Sequence, residues 1–204
     1  MIMAKKIFAQ FSNPRGFFGN VAGYIMSTRR SNLERSLWGI SMLNLQANDH
    51  VLETGYGPGV AIQRMSEVVT DGVIWGIDHS EVMFKQASKR NRRAISEGRV
   101  KLFISPVSEL PHFKRFLDKI IDVNGFQFWG EKVLTLRKLR SQLRRGGIIA
   151  LVHQPRNPDA NEDDATLAGV KFAEYLSSAG FVDIRVERKI MKPVSTVCVL
   201  GINP

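Results

Sequence analysis

From residue 50 onward, the chain alternates short, continuously apolar runs with longer stretches of helical spacing. Strands that are buried on both faces of a sheet have continuous apolar sequences, whereas half-exposed strands alternate apolar and polar residues. The pattern therefore predicts a mostly parallel sheet with helices on both faces. The predicted strands are residues 50–53, 73–78, 100–104, 119–123, 148–152, 182–187 and 196–200. The predicted helices between them are residues 59–69, 81–96, 131–143 and 165–179.

The connection between the last two predicted strands is too short to contain a helix. Only a loop around Pro193 separates residues 182–187 from residues 196–200. Parallel neighbours need a crossover of about a dozen residues, whereas antiparallel neighbours need only a hairpin. We therefore expect an α/β fold of the three-layer, doubly wound, Rossmann-like type. Its sheet has seven mostly parallel strands and an antiparallel C-terminal strand.

The first 48 residues differ from the rest of the chain. Residues 13–26 are rich in glycine, which disfavours a stable isolated helix. Residues 31–34, Ser-Asn-Leu-Glu, have the pattern of a capping box and predict a helix that ends at residues 47–49. We therefore divide one domain into an N-terminal lid and helix, residues 1–48, and a core, residues 49–204. The apolar face predicted for the N-terminal helix consists of Leu33, Leu37, Ile40 and Leu43.

Composition excludes several classes of protein. The 204 residues are 44% hydrophobic and 24% charged, which is typical of one globular domain. Cys198 is the only cysteine, so an intramolecular disulfide or a cysteine-based zinc site is not possible, and we expect no metal. No apolar run is long enough for a signal-peptide core or a membrane span. We therefore expect a cytoplasmic location.

The strongest local motif is Glu-Thr-Gly-Tyr-Gly-Pro-Gly at residues 53–59, directly after the first predicted strand. Glycines in such a turn let the backbone approach a ligand closely. The dinucleotide fingerprint requires a further glycine at position 60, which is Val60. Glu53 would repel a phosphate but attract an amino group, and Asp78, at the end of the second strand, is placed to bind ribose hydroxyls. The motif therefore suits a nucleoside joined to an amino acid.

Further short motifs follow in order along the chain. They are Trp-Gly-Ile-Asp-His-Ser at 75–80, Glu-Leu-Pro at 109–111, Asp-Lys at 118–119, Val-Asn-Gly-Phe-Gln-Phe-Trp at 123–129, and Leu-Arg-Arg-Gly-Gly at 143–147. With these motifs, the chain resembles the class I S-adenosylmethionine-dependent methyltransferases, and among them a bacterial branch of small-molecule type. Residues 13–26 also resemble the N-terminal lid of that branch, so that the resemblance covers nearly the whole chain.

The resemblance implies a role for each residue of the first two motifs. Glu53 would lie near the amino group of the methionine portion of S-adenosylmethionine. Asp78 would hold the ribose. The residues whose backbone would pass beneath the cofactor are Gly55, Tyr56, Gly57 and Gly59.

The resemblance also places the adenine and the methionine portion. His79 and Met83 would flank the adenine, and the backbone at Val107 would meet its edge. Asn124 would lie beside the methionine portion. Many relatives bind the adenine amino group with an acidic residue at the position where this chain has Pro106, so the chain departs from the family here.

The methyl acceptor would bind beside the cofactor. The candidate pocket residues are Tyr24, Phe128, Trp129 and His153. His153 follows the fifth predicted strand, at the edge where open α/β sheets bind ligands, and is our candidate general base. Since methyl transfer by in-line displacement needs a base only when the acceptor must lose a proton, we expect no single indispensable catalytic residue.

The sequence leaves three functions open. The first is transfer of a methyl group to a small-molecule acceptor, with S-adenosylhomocysteine as the product. The second, motivated by a net charge of 29 − 19 = +10, is methylation of RNA or protein. The third is S-adenosylmethionine binding without catalysis. Nucleic acid is not favoured as a partner, because the basic residues lie on predicted outer helices without interleaved aromatic residues.

Overall fold

The computed structural model describes residues 30–157 and 159–204. Their strands are β1 (His50–Thr54), β2 (Val73–Asp78), β3 (Val100–Ile104), β4 (Leu117–Val123), β5 (Leu143–His153), β6 (Val182–Lys189) and β7 (Thr196–Ile202). Their helices are α1 (Arg30–Ser41), α2 (Val60–Ser66), α3 (Glu81–Arg90), α4 (Arg92–Ser96), α5 (Lys132–Gln142) and α6 (Glu162–Ser178), with a 3₁₀ turn at Phe126–Phe128. Residues 1–29 lie outside this description, and with them Tyr24 and the predicted lid.

All seven strands belong to one sheet in the order β3-β2-β1-β4-β5-β7-β6. The first five strands in this order pair in parallel, whereas β7 is antiparallel to both β5 and β6. The predicted doubly wound fold with an antiparallel C-terminal strand is therefore confirmed. Because β2, β1, β4 and β5 run in the same direction, their carboxyl ends lie along one edge of the sheet.

The core has two layers, one on each face of the sheet. Val51 and Ile74 pack with residues of α1, α2 and α3 on one face. Leu52 and Trp75, their neighbours in the chain, pack with residues of α5 and α6 on the other face. Each central strand is thus buried on both sides, which explains its continuous apolar sequence.

The prediction for the N-terminal helix is wrong in two respects. Ser31 lies inside α1 and does not cap it, and the helix ends at Ser41. The predicted apolar face is also only partly buried: Ile40 and Leu43 are, but Leu37 is 43% exposed. The buried face instead includes the polar residues Asn32, Arg35 and Ser36. These three side chains line a cavity at the sheet edge, so this face of the helix is polar where it covers the cavity.

The other helices also differ from their predicted bounds, and two of these differences have a structural cause. The predicted helix at 81–96 is divided at Asn91, whose amide Nδ2 donates to the backbone oxygens of Gly59 and Ala87. Helix α6 begins at Glu162, three residues before its predicted start. There the Asn161 side chain accepts hydrogen bonds from two backbone N–H groups and forms a capping box with Asp164.

No helix in the described part of the chain is long and apolar enough to cross a membrane. The same residues contain no group of three or more His, Cys, Asp or Glu side chains placed to hold a metal ion.

Candidate active site

Three carboxylates lie at the carboxyl edge of the sheet, on the adjacent strands β2, β1 and β4. Asp78 is the last residue of β2, Glu53 precedes the last residue of β1, and Asp122 precedes the last residue of β4. The register pairs Glu53 with Gly76 of β2 and Thr54 with Asp122 of β4. We call these three residues the acidic end. All of them are buried, with exposures of 8% or less.

Glu53 is the carboxylate that the protein leaves incompletely compensated. Its side chain lines the cavity, and its buried Oε2 atom has no hydrogen-bond partner. Burial raises the pKa of Glu53 well above its ordinary value, and the negative charges of Asp122 and Asp78 raise it further. A buried carboxylate with an unpartnered oxygen would gain most from a positively charged ligand group.

Asp78 is held in place by hydrogen bonds from two backbone N–H groups. Its Oδ2 accepts a hydrogen bond of 2.9 Å from the Gly57 N–H, and its Oδ1 accepts one of 2.9 Å from the Ser80 N–H. Ser80, and not Asp78, caps helix α3, through its hydroxyl, which accepts from the Met83 N–H. Burial raises the pKa of Asp78, although the two backbone hydrogen bonds oppose this effect.

The loop after β1 combines an open side with a tightly packed side. Gly57 has a left-handed φ of 50°, and a Cβ added there would meet no atom within 4 Å. This open space adjoins the cavity, which Gly57 lines. At Gly59, with φ 75°, an added Cβ would lie 2.8 Å from the Cβ of Ala87 in α3. Gly57 thus leaves room for a ligand, whereas Gly59 allows α3 to pack closely against the loop.

Asp122 is a residue that our sequence analysis missed. Its Oδ1 accepts hydrogen bonds of 2.7 Å from the N–H groups of Gly125 and Phe126, and its Oδ2 accepts one of 2.9 Å from the Thr54 hydroxyl. Burial raises its pKa to about 6. Asp122 therefore fixes the loop after β4. An acidic residue at the end of a buried strand, as at Glu53 and Asp78, is the signal that would have identified it.

The loop after β4 is also joined to the segment after β5. The Asn124 side chain exchanges two hydrogen bonds with the backbone of Gln154: Nδ2 donates to the oxygen at 3.2 Å, and Oδ1 accepts from the N–H at 2.8 Å. Asn124 has a left-handed φ of 59°. This pair of hydrogen bonds holds the two loops together beside the cavity, which Asn124 lines.

The cavity at this edge has a volume of about 910 Å³. All the residues predicted to bind the cofactor line it except Gly59, which instead packs against α3. Phe128 and Trp129, predicted for the acceptor pocket, line it too. Trp129 is buried and packs edge-to-face on Phe126, with ring centroids 4.9 Å apart. Pro106 is on the cavity wall and offers no side-chain acceptor for an amino group.

His153 is not brought to this cavity. It lines a neighbouring cavity of about 230 Å³, together with Arg156 and Phe172. Its buried Nδ1 has no hydrogen-bond partner. Burial lowers the pKa of His153 to about 4, and the positive charges of Arg35 and Arg156 contribute to the shift. The imidazole is therefore neutral at pH 7, and its position does not favour the general-base role.

Part of the cavity wall is basic, which our sequence analysis did not predict. Arg35 of α1 and Arg156 after β5 both line the cavity. Each donates from Nη2 to the Oδ1 atom of Asn32, and Arg35 also donates from Nη1 to Gln154 Oε1 at 2.8 Å. We call Arg35 and Arg156 the basic end. Arg35 and Gln154 are 119 residues apart in the sequence, and no local motif predicts their contact.

The geometry fits a ligand with a cationic amino group beside Glu53 and hydroxyl groups beside Asp78. Three comparisons with known proteins agree with this chemistry. A family model described as a methyltransferase domain matches residues 51–147. The uncharacterized methyltransferase YdaC of Bacillus subtilis is 32% identical to this chain over 184 residues, which are 90% of this chain and 98% of that protein.

Two solved structures share the fold. The S-adenosylmethionine-dependent methyltransferase from Aquifex aeolicus superposes with a TM-score of 0.73 at 18% identity, over 91% of this chain and 98% of its own. The magnesium protoporphyrin IX methyltransferase of Synechocystis, solved with bound S-adenosylmethionine, gives a TM-score of 0.62 at 14% identity, over 98% and 91% of the two chains. From its sequence, fold and site, the chain belongs to the class I S-adenosylmethionine-dependent methyltransferases.

Proposed function

We propose that this methyltransferase acts on a small-molecule acceptor, which binds in the same cavity as the cofactor. The observation that carries the proposal is the size and reach of the cavity. Ligand pockets commonly measure roughly 300–1,000 Å³, and this one, at about 910 Å³, extends from Glu53 to Arg35 and Trp129. The cavity is therefore lined by further residues, besides those assigned to the cofactor, that an acceptor could contact.

We assign the cofactor to the acidic end. The unpartnered Oε2 of Glu53 would receive the amino group, and Asp78 would accept from the ribose hydroxyls. The loop at Gly57 leaves space for the cofactor to lie against the backbone. Met83 and Val107 would contact the adenine, and His79, whose side chain is 48% exposed, would cover it from the rim.

The residues of the chain act mainly by positioning. S-adenosylmethionine supplies an electrophilic methyl group on a sulfonium and leaves as S-adenosylhomocysteine. Asp122 and Asn124 hold the loop after β4 rigid, so that Trp129 presents a fixed apolar wall. Orientation of the two reactants in a site with little water supplies much of the rate enhancement in such displacements. We therefore keep the proposal that no single residue is indispensable as a base.

The basic surface gives less support to the RNA alternative. The basic residues of α3 and α4 are exposed on the outer side of their helices and do not line the cavity. They are Lys85, Lys89, Arg90, Arg92 and Arg93. Some of the basic residues of α5 are engaged with backbone oxygens, as in the hydrogen bond of Arg137 to Ser178. Solvated helix faces account for this charge.

Three other expectations stay proposals. One is the division of the domain into residues 1–48, which contain the lid, and residues 49–204. Another is the absence of a required metal. A cytoplasmic location is the third, and the single cysteine of the sequence, buried in β7, supports it.

Calorimetric titration with S-adenosylhomocysteine tests the assignment of the site. We expect Glu53→Gln and Asp78→Asn each to weaken binding at least 10-fold, since each removes a charge next to the ligand. The control is Asp49→Asn, which changes another buried carboxylate, directly before β1 at the opposite edge of the sheet. A screen of small acceptors for S-adenosylhomocysteine release then tests the acceptor class. Turnover of RNA or protein, but of no small molecule, would contradict the proposal.

A further inference from the structure

Asn91, at the break between α3 and α4, turns its side chain back onto the loop after β1. The residue is 3% exposed. Its Nδ2 donates to the Gly59 oxygen at 3.1 Å and to the Ala87 oxygen at 2.9 Å, which uses both amide hydrogens. Its Oδ1 is buried and has no hydrogen-bond partner among the described residues. The reverse orientation of the amide would place Oδ1 against two carbonyl oxygens, so the nitrogen must face the loop.

The two acceptors do not depend on this amide. The Gly59 oxygen also accepts from the Gln63 N–H at 3.1 Å, and the Ala87 oxygen accepts from the backbone N–H of Asn91 at 2.9 Å. Both carbonyl groups therefore keep a backbone donor when the side-chain amide is removed. A buried amide with an unpartnered oxygen costs free energy and requires an explanation other than the stability of the helices.

The contact joins the far end of α3 to the loop that borders the cavity. Gly59 ends this loop, and two residues earlier the Gly57 N–H donates to Asp78. Helix α3 begins just after Asp78, whose carboxylate also accepts from the Ser80 N–H. The start of α3 is thus linked to Asp78, and its end, through Asn91, is linked to Gly59. The loop is connected to both ends of one helix.

The neighbouring residue makes a parallel contact. Arg90, although its side chain is largely exposed, donates from Nε to the Pro58 oxygen at 2.9 Å. Consecutive residues at the end of α3 therefore bind consecutive carbonyl groups of the loop, those of Pro58 and Gly59. Pro58 lines the cavity, whereas Arg90 and Asn91 lie outside its wall. Any effect of these two side chains on a ligand must pass through the loop backbone.

We propose that Asn91, supported by Arg90, is a positioning residue for S-adenosylmethionine. The two side chains hold the loop after β1 where the Gly57 N–H meets Asp78 and the space beside Gly57 stays open. This inference rests on the proposed function, because it requires the cofactor to lie against that loop. A loop that is already ordered before the ligand arrives avoids the cost of ordering it on binding.

Calorimetric titration of the full chain with S-adenosylhomocysteine tests the proposal. Asn91→Leu keeps the branched shape of the side chain but has neither the donors nor the unpartnered oxygen. We expect it to weaken binding about 10-fold, or about 1.4 kcal/mol. Its midpoint of thermal unfolding should stay within about 3 °C of the native value, because both carbonyl groups keep their backbone donors. Asn91→Ala is the second variant and should weaken binding likewise. Arg90→Met should have a smaller effect, which Arg90→Lys, with a donor at the end of its chain, should partly reverse.

The matched control is Asn203→Leu. The Asn203 Nδ2 also donates to two backbone oxygens, those of Leu143 and Arg144, at 2.7 and 3.2 Å, but this contact lies where β5 begins, away from the cavity. Affinity should not change in this variant. The amide resonance of Gly57, observed without ligand in protein with isotope-labelled glycine, supplies a second readout. It should shift in Asn91→Leu and stay in place in the control.

The outcomes separate this inference from the proposed function. If the native chain binds S-adenosylhomocysteine and Asn91→Leu binds it equally well, the positioning role is overturned and the cofactor assignment stands. The role is also overturned if the control loses as much affinity, or if the Gly57 resonance is the same in Asn91→Leu and the native chain. If the native chain does not bind S-adenosylhomocysteine, the proposed function is contradicted, and with it the role of Asn91 toward this cofactor.

Discussion

The acidic and basic ends of the cavity are built in different ways. The acidic end comes from the ends of three adjacent strands, and its members are contacted mainly by nearby backbone N–H groups, as Asp78 is by Gly57 and Ser80. The basic end joins a helix before the sheet to a segment after β5, through side chains on both sides. A site fixed by strand ends follows from the family fold. A site assembled from distant side chains can vary without changing the fold.

The largest effect that we expect tests the open side of the loop after β1, next to the acidic end. Gly57→Val should weaken S-adenosylhomocysteine at least 100-fold, or about 2.7 kcal/mol, because the new side chain would occupy space beside the cavity. The measurement is calorimetric titration, accompanied by thermal unfolding.

Gly98→Val is the matched control for this substitution. Gly98 also has a left-handed φ, 75°, and an added Cβ would again meet no atom within 4 Å, but the residue lies between α4 and β3, away from the cavity. Both variants should lose a similar stability, about 1–2 kcal/mol, from the strained backbone. Equal cofactor affinity in the two variants would contradict the placement of the cofactor over Gly57.

The acidic end was largely predictable from the sequence, and the reason is local. Glu53 and Asp78 each end an apolar run, and the glycines between them form a recognisable motif. The register of parallel strands then brings them to the same edge. Asp122 fits the same rule, since it too lies at the end of a buried strand.

The basic end was not predictable, because its contacts are long-range. Apolar spacing indicated that α1 would bury Leu33 and Leu37, but the helix turns Asn32 and Arg35 inward. Only the tertiary structure shows that this face meets Gln154 at the cavity. Hydrophobic periodicity fails where a helix covers a polar site instead of the core.

The next effect concerns Asp122, which we interpret as structural within the acidic end. Asp122→Ala leaves the N–H groups of Gly125 and Phe126 without their acceptor. We expect a loss of about 2 kcal/mol in the free energy of unfolding, which lowers the melting temperature by roughly 6 °C. Asp122→Asn should lose less than half as much, because its oxygen can face both N–H groups while the Thr54 hydroxyl turns to the Ile121 oxygen, already at 3.4 Å. Equal losses in the two variants would contradict this role.

The smallest effect has the opposite sign and distinguishes Glu53 from Asp122. Glu53→Gln should raise the free energy of unfolding at pH 8 by about 1 kcal/mol, because it removes a buried charge next to two carboxylates. The pKa of Glu53 is higher in the folded chain than in the unfolded chain. The native chain therefore gains stability relative to the variant as the pH falls and Glu53 takes up a proton. The advantage of Glu53→Gln should therefore shrink on acidification and vanish near the ordinary glutamate pKa of 4.5. Thermal unfolding from pH 8 to pH 4.5 measures it. If the variant is less stable than the native chain at pH 8, Glu53 stabilises the fold. That result would contradict the interpretation that the chain retains this carboxylate for its ligand at a cost in stability.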